Sequence, residues 1–462
     1  MQAMILLDMT MVNIALPQIQ DGLGFSRAGL VWVVDGYALM AGGFLVLGGR
    51  LADVLGRRRL LISGIVVFGI SSMMSGLAPN PGVMVAGRFG QGLAEALAAP
   101  ASLGLLALLF TDPKERTKAF GAWAGISGMS ATLGYILSGV ITEFLDWRWL
   151  FFINVPVAVV ALVLIPRMVG ESRMRSQGRV DYAGALGLTV GMVALVFGLV
   201  RASSHAWTST QVLVPVLIGV AVLAVTVVIE AQVSNPLVPL SFFANRTRSV
   251  MNFASVFFMA AFLSYTFMLT LFNQQILGYS PLITGLAWLP LSVGIGVGIG
   301  IGTALVPRLG VKAVCAVSFF VAGVGLLISS LLQPDNPYWT TLLPGMVVFG
   351  LGAGLGMPSG TNAALHKVTA DNSSLASGVQ STAQQIGGAL GVAVLVTLAI
   401  RYAEDHMATG ASPAQATTDG YALALRIGAG LAIFCAVLVA ALLERVDTEM
   451  RDPIAEQATN IH

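Results

Sequence analysis

Residues 48–59 read GGRLADVLGRRR, a charged, glycine-rich stretch between two apolar runs that are each long enough to cross a membrane. One acid, Asp53, stands among four arginines, at positions 50, 57, 58 and 59. Glycines permit a tight turn and a close approach of backbones. Because the cytoplasmic loops of membrane proteins collect Lys and Arg, this stretch predicts a cytoplasmic loop that joins two transmembrane helices.

The composition predicts a helical membrane protein. Of the 462 residues, 56% are hydrophobic and 10% are charged, whereas a soluble domain carries about 25% charged residues. The apolar runs are about 20 residues long, which suits helices rather than the ten-residue alternating strands of a β-barrel. The net charge of +2 indicates no nucleic-acid partner. Cys315 and Cys435 lie in apolar runs, and the four histidines are scattered, so neither a disulfide nor a metal site is expected.

Fourteen apolar runs are long enough to be transmembrane spans. Placing the N-terminus in the cytoplasm assigns eighteen of the 24 basic residues to cytoplasmic segments and four to outer loops, which predicts that both termini are cytoplasmic. The outer segment 402–420 is rich in Ala and Thr, and we expect it to be a mobile loop. The spans lie near 2–20, 30–49, 60–78, 83–110, 118–141, 149–168, 182–201, 211–231, 250–272, 283–306, 311–332, 340–360, 379–401 and 420–443.

A degenerate copy of the opening stretch, GTALVPRLGVK, occupies residues 302–312. Aligning Gly310 with Gly56 places Lys312 on Arg58, eight spans further along the chain. Internal repeats of this kind are typical of transporters built from two related halves. We therefore predict two six-helix bundles, at 1–170 and 245–445. Two additional helices lie between them, at 171–244, and a cytoplasmic tail follows at 446–462.

The opening stretch resembles the loop between helices 2 and 3 of the major facilitator superfamily, G-x-L-A-D-x-x-G-R-[RK]. With fourteen spans, the chain is similar to the drug:proton antiporter branch of that family. The resemblance implies the major facilitator fold and a loop that latches the cytoplasmic face closed. The alternative is an ordinary basic loop that only fixes the orientation of the helices. The residues predicted to act in gating are Gly49, Asp53, Gly56, Arg57 and Arg58.

The first span contains LDMTMVNIALP at 7–17, which resembles the first-helix pattern of the branch, L-D-x-T-x-V-N-x-A-L-P. A carboxylate within hydrocarbon costs roughly 2.5–3.5 kcal/mol on insertion scales, so such an acid usually faces a cavity and exchanges a proton. We predict that Asp8 couples proton movement to transport and that Asn13 lines the substrate cavity. The alternative for Asp8 is an acid near the membrane surface with a structural partner.

Three further polar residues are candidates in spans 2 and 4. Arg88 and Gln91 match the R-x-x-Q-G motif of the family, which implies that Arg88 assists proton coupling and that Gln91 lines the cavity. Glu95 shares a helix face with Arg88 but departs from the pattern. It is a candidate proton site, cation site or counter-ion of Arg88. Asp35 is a candidate proton relay or cation attractor, or an interfacial solvated acid.

Span 5 departs from the exporter pattern G-x-x-x-G-P-x-x-G-G, because Tyr135 replaces the proline and Ser138 replaces a glycine. Tyr135 is expected to project into the cavity or into the interface between the halves. In span 9, Phe262, Tyr265 and Asn273 are predicted to line a cavity for an apolar compound, with a lipid-facing aromatic stripe as the alternative.

Two other segments are expected to be structural. Residues 146–156, DWRWLFFINVP, resemble the W-R-W-x-F-x-x-N-x-P motif of the branch and predict an anchor at the outer face. Gln380, Gln384 and Gln385 in span 13 either line the pore or satisfy one another, and we expect packing.

The sequence contains no G-x-x-x-x-G-K-[ST] loop for ATP and no nucleophile–base cluster or metal set typical of an enzyme. We therefore predict a multi-pass protein of the cytoplasmic membrane that needs no cofactor and uses the proton gradient. It would exchange protons for amphiphilic or cationic drugs by alternating access, as a monomer among membrane lipids. The alternative is an exporter or flippase of a lipid or endogenous metabolite. A membrane enzyme or sensor is the other class.

Overall fold

The computed structural model describes residues 1–109, 113–170, 182–202, 205–233, 240–335, 338–364 and 373–444. Every regular element in these ranges is a helix, as expected for backbone that must satisfy its own hydrogen bonds inside a bilayer. The N-terminal part consists of α1 (Gln2–Leu23), α2 (Arg27–Leu55), α3 (Arg57–Gly76), α4 (Pro81–Leu109), α5 (Pro113–Phe144), α6 (Trp149–Phe152) and α7 (Asn154–Met168).

The remaining helices form an inserted pair and a C-terminal part. Two π-helical turns, Phe272–Ile276 and Val392–Val396, directly follow the helices that end at Leu271 and Gly391. The inserted pair is α8 (Tyr182–Arg201) and α9 (Thr210–Glu230). The C-terminal part consists of α10 (Arg246–Leu271), α11 (Pro281–Ala287), α12 (Leu289–Ser329), α13 (Leu342–Ala364), α14 (Ser373–Gly391), α15 (Thr397–Ala408) and α16 (Pro413–Leu442).

Each of the fourteen predicted spans overlaps a helix of the described chain. Nine helical segments within the described ranges have the length and hydropathy to cross a membrane, and one of them, Pro281–Ser329, contains a break. The prediction of a loop at 402–420 was wrong. α15 continues to Ala408, and α16 begins at Pro413 with Ser412 as its N-cap. A helix that extends beyond the hydrocarbon loses its apolar signal but not its backbone hydrogen bonds.

The two copies of the loop motif share a backbone break. Gly56 separates α2 from α3 with φ 106°, and Gly310 interrupts α12 with φ 79°. Both torsions lie in the region that side chains with a Cβ rarely adopt. The alignment of residues 302–312 with 48–59 therefore corresponds to a shared local conformation, even though Asp53 has no acidic counterpart in the second copy.

Helix α2 is the point at which the N-terminal part, the inserted pair and the C-terminal part meet. It packs against α4, where Gly92 lies against the carbonyl oxygen of Tyr37 and leaves no room for a Cβ. The hydroxyl of Thr189 in α8 donates a 2.7 Å hydrogen bond to the carbonyl of Gly43. Gly42 lies against the side chain of Gln385 in α14. Glycines on α2 and α4 thus allow close helix contacts around α2.

Candidate functional site

A buried ion pair lies at the centre of the N-terminal part. Nη1 of Arg88 in α4 is 2.5 Å from Oδ2 of Asp8 in α1, and the two side chains are 3% and 0% exposed. The structure thus brings together two residues predicted for proton coupling. Asp8 is fully buried and has a structural partner in Arg88.

Two amides hold the second oxygen of the Asp8 carboxylate. Nε2 of Gln91 donates to Oδ1 over 2.8 Å, and Nδ2 of Asn154 in α7 donates over 3.1 Å. Nε2 of Gln91 also lies 2.8 Å from the hydroxyl of Ser72 in α3. Side chains from α4 and α7 therefore hold the Asp8 carboxylate of α1, which is charge-compensated and fully hydrogen-bonded. Ser72 of α3 joins the network through Gln91.

Arg88 has partners other than Asp8. Its Nε donates to the carbonyl of Val33 over 2.8 Å, and its Nη1 lies 2.7 Å from Oε1 of Gln91. The guanidinium carbon lies 4.6 Å from the centre of the Tyr37 ring, in a cation–π arrangement. Arg88 therefore has three partners besides Asp8, namely the Val33 carbonyl, the Gln91 amide and the Tyr37 ring.

The prediction that Gln91 lines the cavity needs correction, since Gln91 is fully buried within this network. Asn154 was missed as a partner of Asp8, and Ser72 was missed as a partner of Gln91. Asn154 is the asparagine of the motif at 146–156, which was interpreted as an outer anchor only. The unusual polar residue inside that otherwise apolar helix start was the available signal, whereas Ser72 carries no distinguishing pattern.

Glu95 contacts the other half of the molecule. Its Oε2 accepts a 3.2 Å hydrogen bond from Nε2 of Gln385 in α14, and each of the two residues is 9% exposed. The salt bridge of Arg88 is made with Asp8, so Glu95 is not its direct counter-ion. Gln385 was expected to serve packing, and it does pack on Gly42, but its amide also joins the halves.

Asp35 is fully buried, and neither of its carboxylate oxygens has a hydrogen-bond partner within the described chain. The interpretation as a solvated interfacial acid was therefore wrong. A buried carboxylate without partners is costly when ionised, so Asp35 occupies an unusual position for an acid.

The predicted gating residues lie at the junction of α2 and α3. Gly56 forms the break, Arg57 is buried, and Nη2 of Arg58 donates to the carbonyl of Pro166 at the end of α7 over 3.1 Å. Gly49 lies on α2, while the side chain of Asp53 is outside the described part of the structure. The contact from Arg58 ties the loop to the C-terminal end of α7, where the helix dipole favours a cation.

Tyr135 lies in the interface between the halves. Its ring stacks on that of Trp288, with centroids 5.4 Å apart and an interplanar angle of 16°. Trp288 begins α12, and its indole also meets the edge of Tyr265, with centroids 6.0 Å apart. Of the two positions predicted for Tyr135, the structure shows the interface.

The other residues predicted to line the cavity are mostly enclosed. Tyr265 and Asn273 are fully buried, so neither faces lipid nor an open cavity in this structure. Asn273 lies in the first π-helical turn, and among the described residues neither polar atom of its side-chain amide has a hydrogen-bond partner. Phe262 packs against Phe349, with centroids 5.6 Å apart. Asn13 is 8% exposed and donates to the carbonyl of Met9.

Further contacts between the halves involve the C-terminal end of α1. Nε2 of Gln18 donates to Oε1 of Gln274 over 2.9 Å, and Nε2 of Gln274 donates to the carbonyl of Ile14 over 2.7 Å. The carboxylate of Glu143 at the end of α5 accepts from the backbone N–H of Leu282 over 3.4 Å. Together with the Tyr135 stack, these contacts join the ends of α1 and α5 to α10, its π-helical turn and α11.

Comparisons with known proteins give a consistent picture. Residues 1–392 match the model of the Major Facilitator Superfamily. The chain is 38% identical over 457 residues to a puromycin resistance protein of Streptomyces alboniger, covering 96% of this chain and 89% of that protein. It is 38% identical over 401 residues to a lincomycin resistance protein of Streptomyces lincolnensis, covering 86% and 82%.

Solved structures with the same fold include an auto-inhibited peptide transporter of the POT family, with a TM-score of 0.69, 15% identity and coverage of 97% of this chain and 96% of that one. A human organic anion transporter matches with a TM-score of 0.65, 14% identity and coverage of 95% and 97%. At these identities the similarity shows the fold alone.

Proposed function

Because this chain belongs to the major facilitator superfamily, we propose that it is a drug exporter that exchanges protons for amphiphilic or cationic small molecules. The family membership confirms the resemblance that residues 48–59 carry, and it identifies a multi-span membrane transporter rather than an enzyme. Export as the direction of transport is supported by the puromycin and lincomycin resistance proteins, each 38% identical to this chain.

The observation that carries the proposal is the buried Asp8–Arg88 pair. Asp8 is 0% exposed and Arg88 is 3% exposed, so the pair is shielded from water. Such a pair provides a proton-binding site, and the charge of the site changes when a proton binds to the carboxylate. When Asp8 takes up a proton, Arg88 loses its counter-charge but keeps the Val33 carbonyl and the Tyr37 ring. The resulting unpaired buried charge is unfavourable and favours a rearrangement of α4 relative to α1. Proton binding would thereby drive the exchange of conformations.

Asp35 is proposed as a second proton-carrying acid. It lies two turns along α2 from Gly42, and its burial without partners favours the protonated form. A relay between Asp35 and Asp8 would let protons enter from the outer end of α2, and the electrochemical gradient would provide the energy. One elementary charge that crosses 100 mV supplies about 2.3 kcal/mol.

We also propose fourteen membrane-crossing helices, cytoplasmic termini and an inward-facing conformation in this structure. In that topology, the described contacts between the halves lie from the middle of the membrane to its outer side. They include Tyr135 on Trp288 and Gln18 on Gln274. Opening of the outer side would break these contacts, while the loop at 48–59 would close the inner side. The protein would reside in the cytoplasmic membrane.

The test is transport by the purified protein in liposomes. Vesicles are loaded with ethidium, a permanently cationic dye, and a pH gradient is imposed across the membrane. We expect dye movement that stops when nigericin collapses the pH gradient. The Asp146→Asn variant is the control and should transport dye as the wild type does, because Asp146 is 53% exposed and its ionic partner is Arg148. Dye transport that does not depend on the gradient would overturn proton coupling. Transfer of fluorescent phospholipid without dye transport would favour the lipid exporter.

A further inference from the structure

We propose that Glu95 recognises the ammonium group of a cationic substrate and that Gln385 occupies this position when no substrate is bound. The inference rests on the proposed export function but assigns a specific subsite within it. Glu95 in α4 and Gln385 in α14 belong to different parts of the molecule, and a single hydrogen bond of 3.2 Å joins them. Substrate binding at Glu95 would therefore release a contact between the halves.

The charge balance around Glu95 favours a cation. Asp8 and Arg88 form a pair at 2.5 Å and compensate each other. Among the buried charged residues of the described chain, Arg57 and Arg248 lie at helix starts, so Arg88 is the only buried base midway along a transmembrane helix. When all three groups are ionised, the cluster of Asp8, Arg88 and Glu95 carries one net negative charge. Glu95 is the carboxylate that Arg88 does not neutralise.

Glu95 lies at the edge of the buried cluster. Residues Glu95 and Gln385 are each 9% exposed, whereas Asp8 and Gln91 are fully buried. A group that displaces the Gln385 amide from between α4 and α14 would therefore reach the Glu95 carboxylate without entering the Asp8 network.

The strengths of the competing hydrogen bonds determine which partner Glu95 takes. The Gln385 amide is a neutral donor at 3.2 Å. A substrate ammonium would donate a shorter, charge-assisted bond, which is roughly twice as strong as a neutral one. The Tyr37 ring is already covered by Arg88 at 4.6 Å. The buried Tyr37 hydroxyl lies close enough to Glu95 to interact with its carboxylate. This hydroxyl is a second polar group able to accept from the ammonium.

This arrangement separates the roles of the two acids. Asp8 is held by Arg88, Gln91 and Asn154 and is the proton site of the proposed mechanism. Glu95 is held by one neutral donor from the opposite half and is the substrate site. Because the donor is displaced when the substrate arrives, occupancy of Glu95 would loosen the contact of α4 with α14, and the halves would then move more freely.

The experiment uses the full-length protein in nanodiscs and two fluorescent probes of nearly equal size. Dansylcadaverine carries a primary ammonium, and its N-acetyl derivative is neutral. We expect the wild type to bind dansylcadaverine at least tenfold more tightly than the neutral probe. Glu95→Gln should remove this preference, because loss of a charge-assisted hydrogen bond corresponds to about a tenfold weakening or more. Binding of the neutral probe should change less than threefold.

Gln385→Ala separates a substrate site from a merely structural contact. If Gln385 competes with the substrate, its removal should tighten the binding of dansylcadaverine, by about three- to tenfold given the usual worth of a neutral hydrogen bond. A purely structural contact would give weaker or unchanged binding. Gln384→Ala, at the neighbouring position of the same helix, is the control and should leave the affinity unchanged.

Equal binding of the two probes to the wild type, or an unchanged preference in Glu95→Gln, would overturn the inference. Folding of each variant is checked by size-exclusion chromatography and by its binding of the neutral probe. The outcome is independent of the export proposal. If the wild type prefers the ammonium probe through Glu95 but moves neither probe across liposomes under a pH gradient, the subsite stands and the export function fails. If ethidium is exported but Glu95→Gln exports it with unchanged affinity and keeps the probe preference, the subsite fails alone.

Discussion

Asp8 and Arg88 are 80 residues apart in the sequence, yet their side chains meet at 2.5 Å in a place where neither is more than 3% exposed. Every polar atom of the Asp8 carboxylate is engaged, by Arg88, Gln91 and Asn154. A buried ion pair adds little net stability on average, because desolvation offsets the attraction. The proposed change of charge at Asp8 would give this pair a role in transport besides its role in folding.

Asp8→Asn should abolish transport driven by a pH gradient. Exchange of labelled for unlabelled dye at equal concentrations on the two sides should remain intact. The amide keeps the shape of the side chain but cannot take up or release a proton. It also leaves the Arg88 charge unpaired, which costs about 3–5 kcal/mol in buried pairs. Transport assays in liposomes and thermal unfolding in detergent measure the two effects. Gradient-driven export at the wild-type rate would exclude Asp8 as the proton site.

Asn154→Ala should reduce gradient-driven export without abolishing it. The substitution removes one of the donors to Oδ1 of Asp8, a hydrogen bond to a charged group that is worth about 1.5–3 kcal/mol. The half-maximal pH of transport, measured between pH 5 and 8, should change relative to the wild type. Arg148→Gln is the control from the same motif, since Arg148 is 34% exposed and its ionic partner is Asp146. Identical pH profiles for Asn154→Ala and the control would contradict the role assigned to Asn154.

Gly56→Ala and Gly310→Ala should each destabilise the protein by about 1–3 kcal/mol, because positive φ is strained for any residue with a Cβ. Gly296→Ala is the control: a Cβ there meets nothing within 4 Å and the backbone is helical, so alanine should be neutral or stabilising by up to about 1 kcal/mol. Thermal unfolding of the three purified variants gives the comparison. Equal unfolding temperatures would show that the breaks are not strained.

Tyr135→Ala should open the outer side of the protein more often than the wild type. Loss of the stack on Trp288 removes about 0.5–1.5 kcal/mol, which corresponds to a two- to tenfold change in the conformational equilibrium. The reporter is Gln274→Cys labelled with an impermeant maleimide, since the native cysteines Cys315 and Cys435 are both buried. Tyr135→Phe retains the ring and should label at the wild-type rate. Faster labelling of the phenylalanine variant than of the alanine variant would refute the role of stacking.

The sequence alone was sufficient to predict the family and most of the helices. It predicted a loop at 48–59, but α2 continues to Leu55 and α3 begins at Arg57, so only Gly56 interrupts the helices there. Hydrocarbon accepts a backbone only when it forms its hydrogen bonds internally, so runs of about 20 apolar residues identify spans locally. The glycine at position 56 and its counterpart at 310 also follow from a local rule, since both mark a backbone break that a Cβ would strain.

What only the tertiary structure decided is which side chains meet. Asn154 reaches Asp8 over 146 residues, and Gln385 reaches Glu95 over 290 residues. Such pairs depend on the rotation and depth of each helix, which are set by close contacts at positions such as Gly42 and Gly92. Helical periodicity correctly placed Arg88 and Glu95 on one face, but it cannot report which distant helix covers that face. The burial of Asp35 was invisible for the same reason.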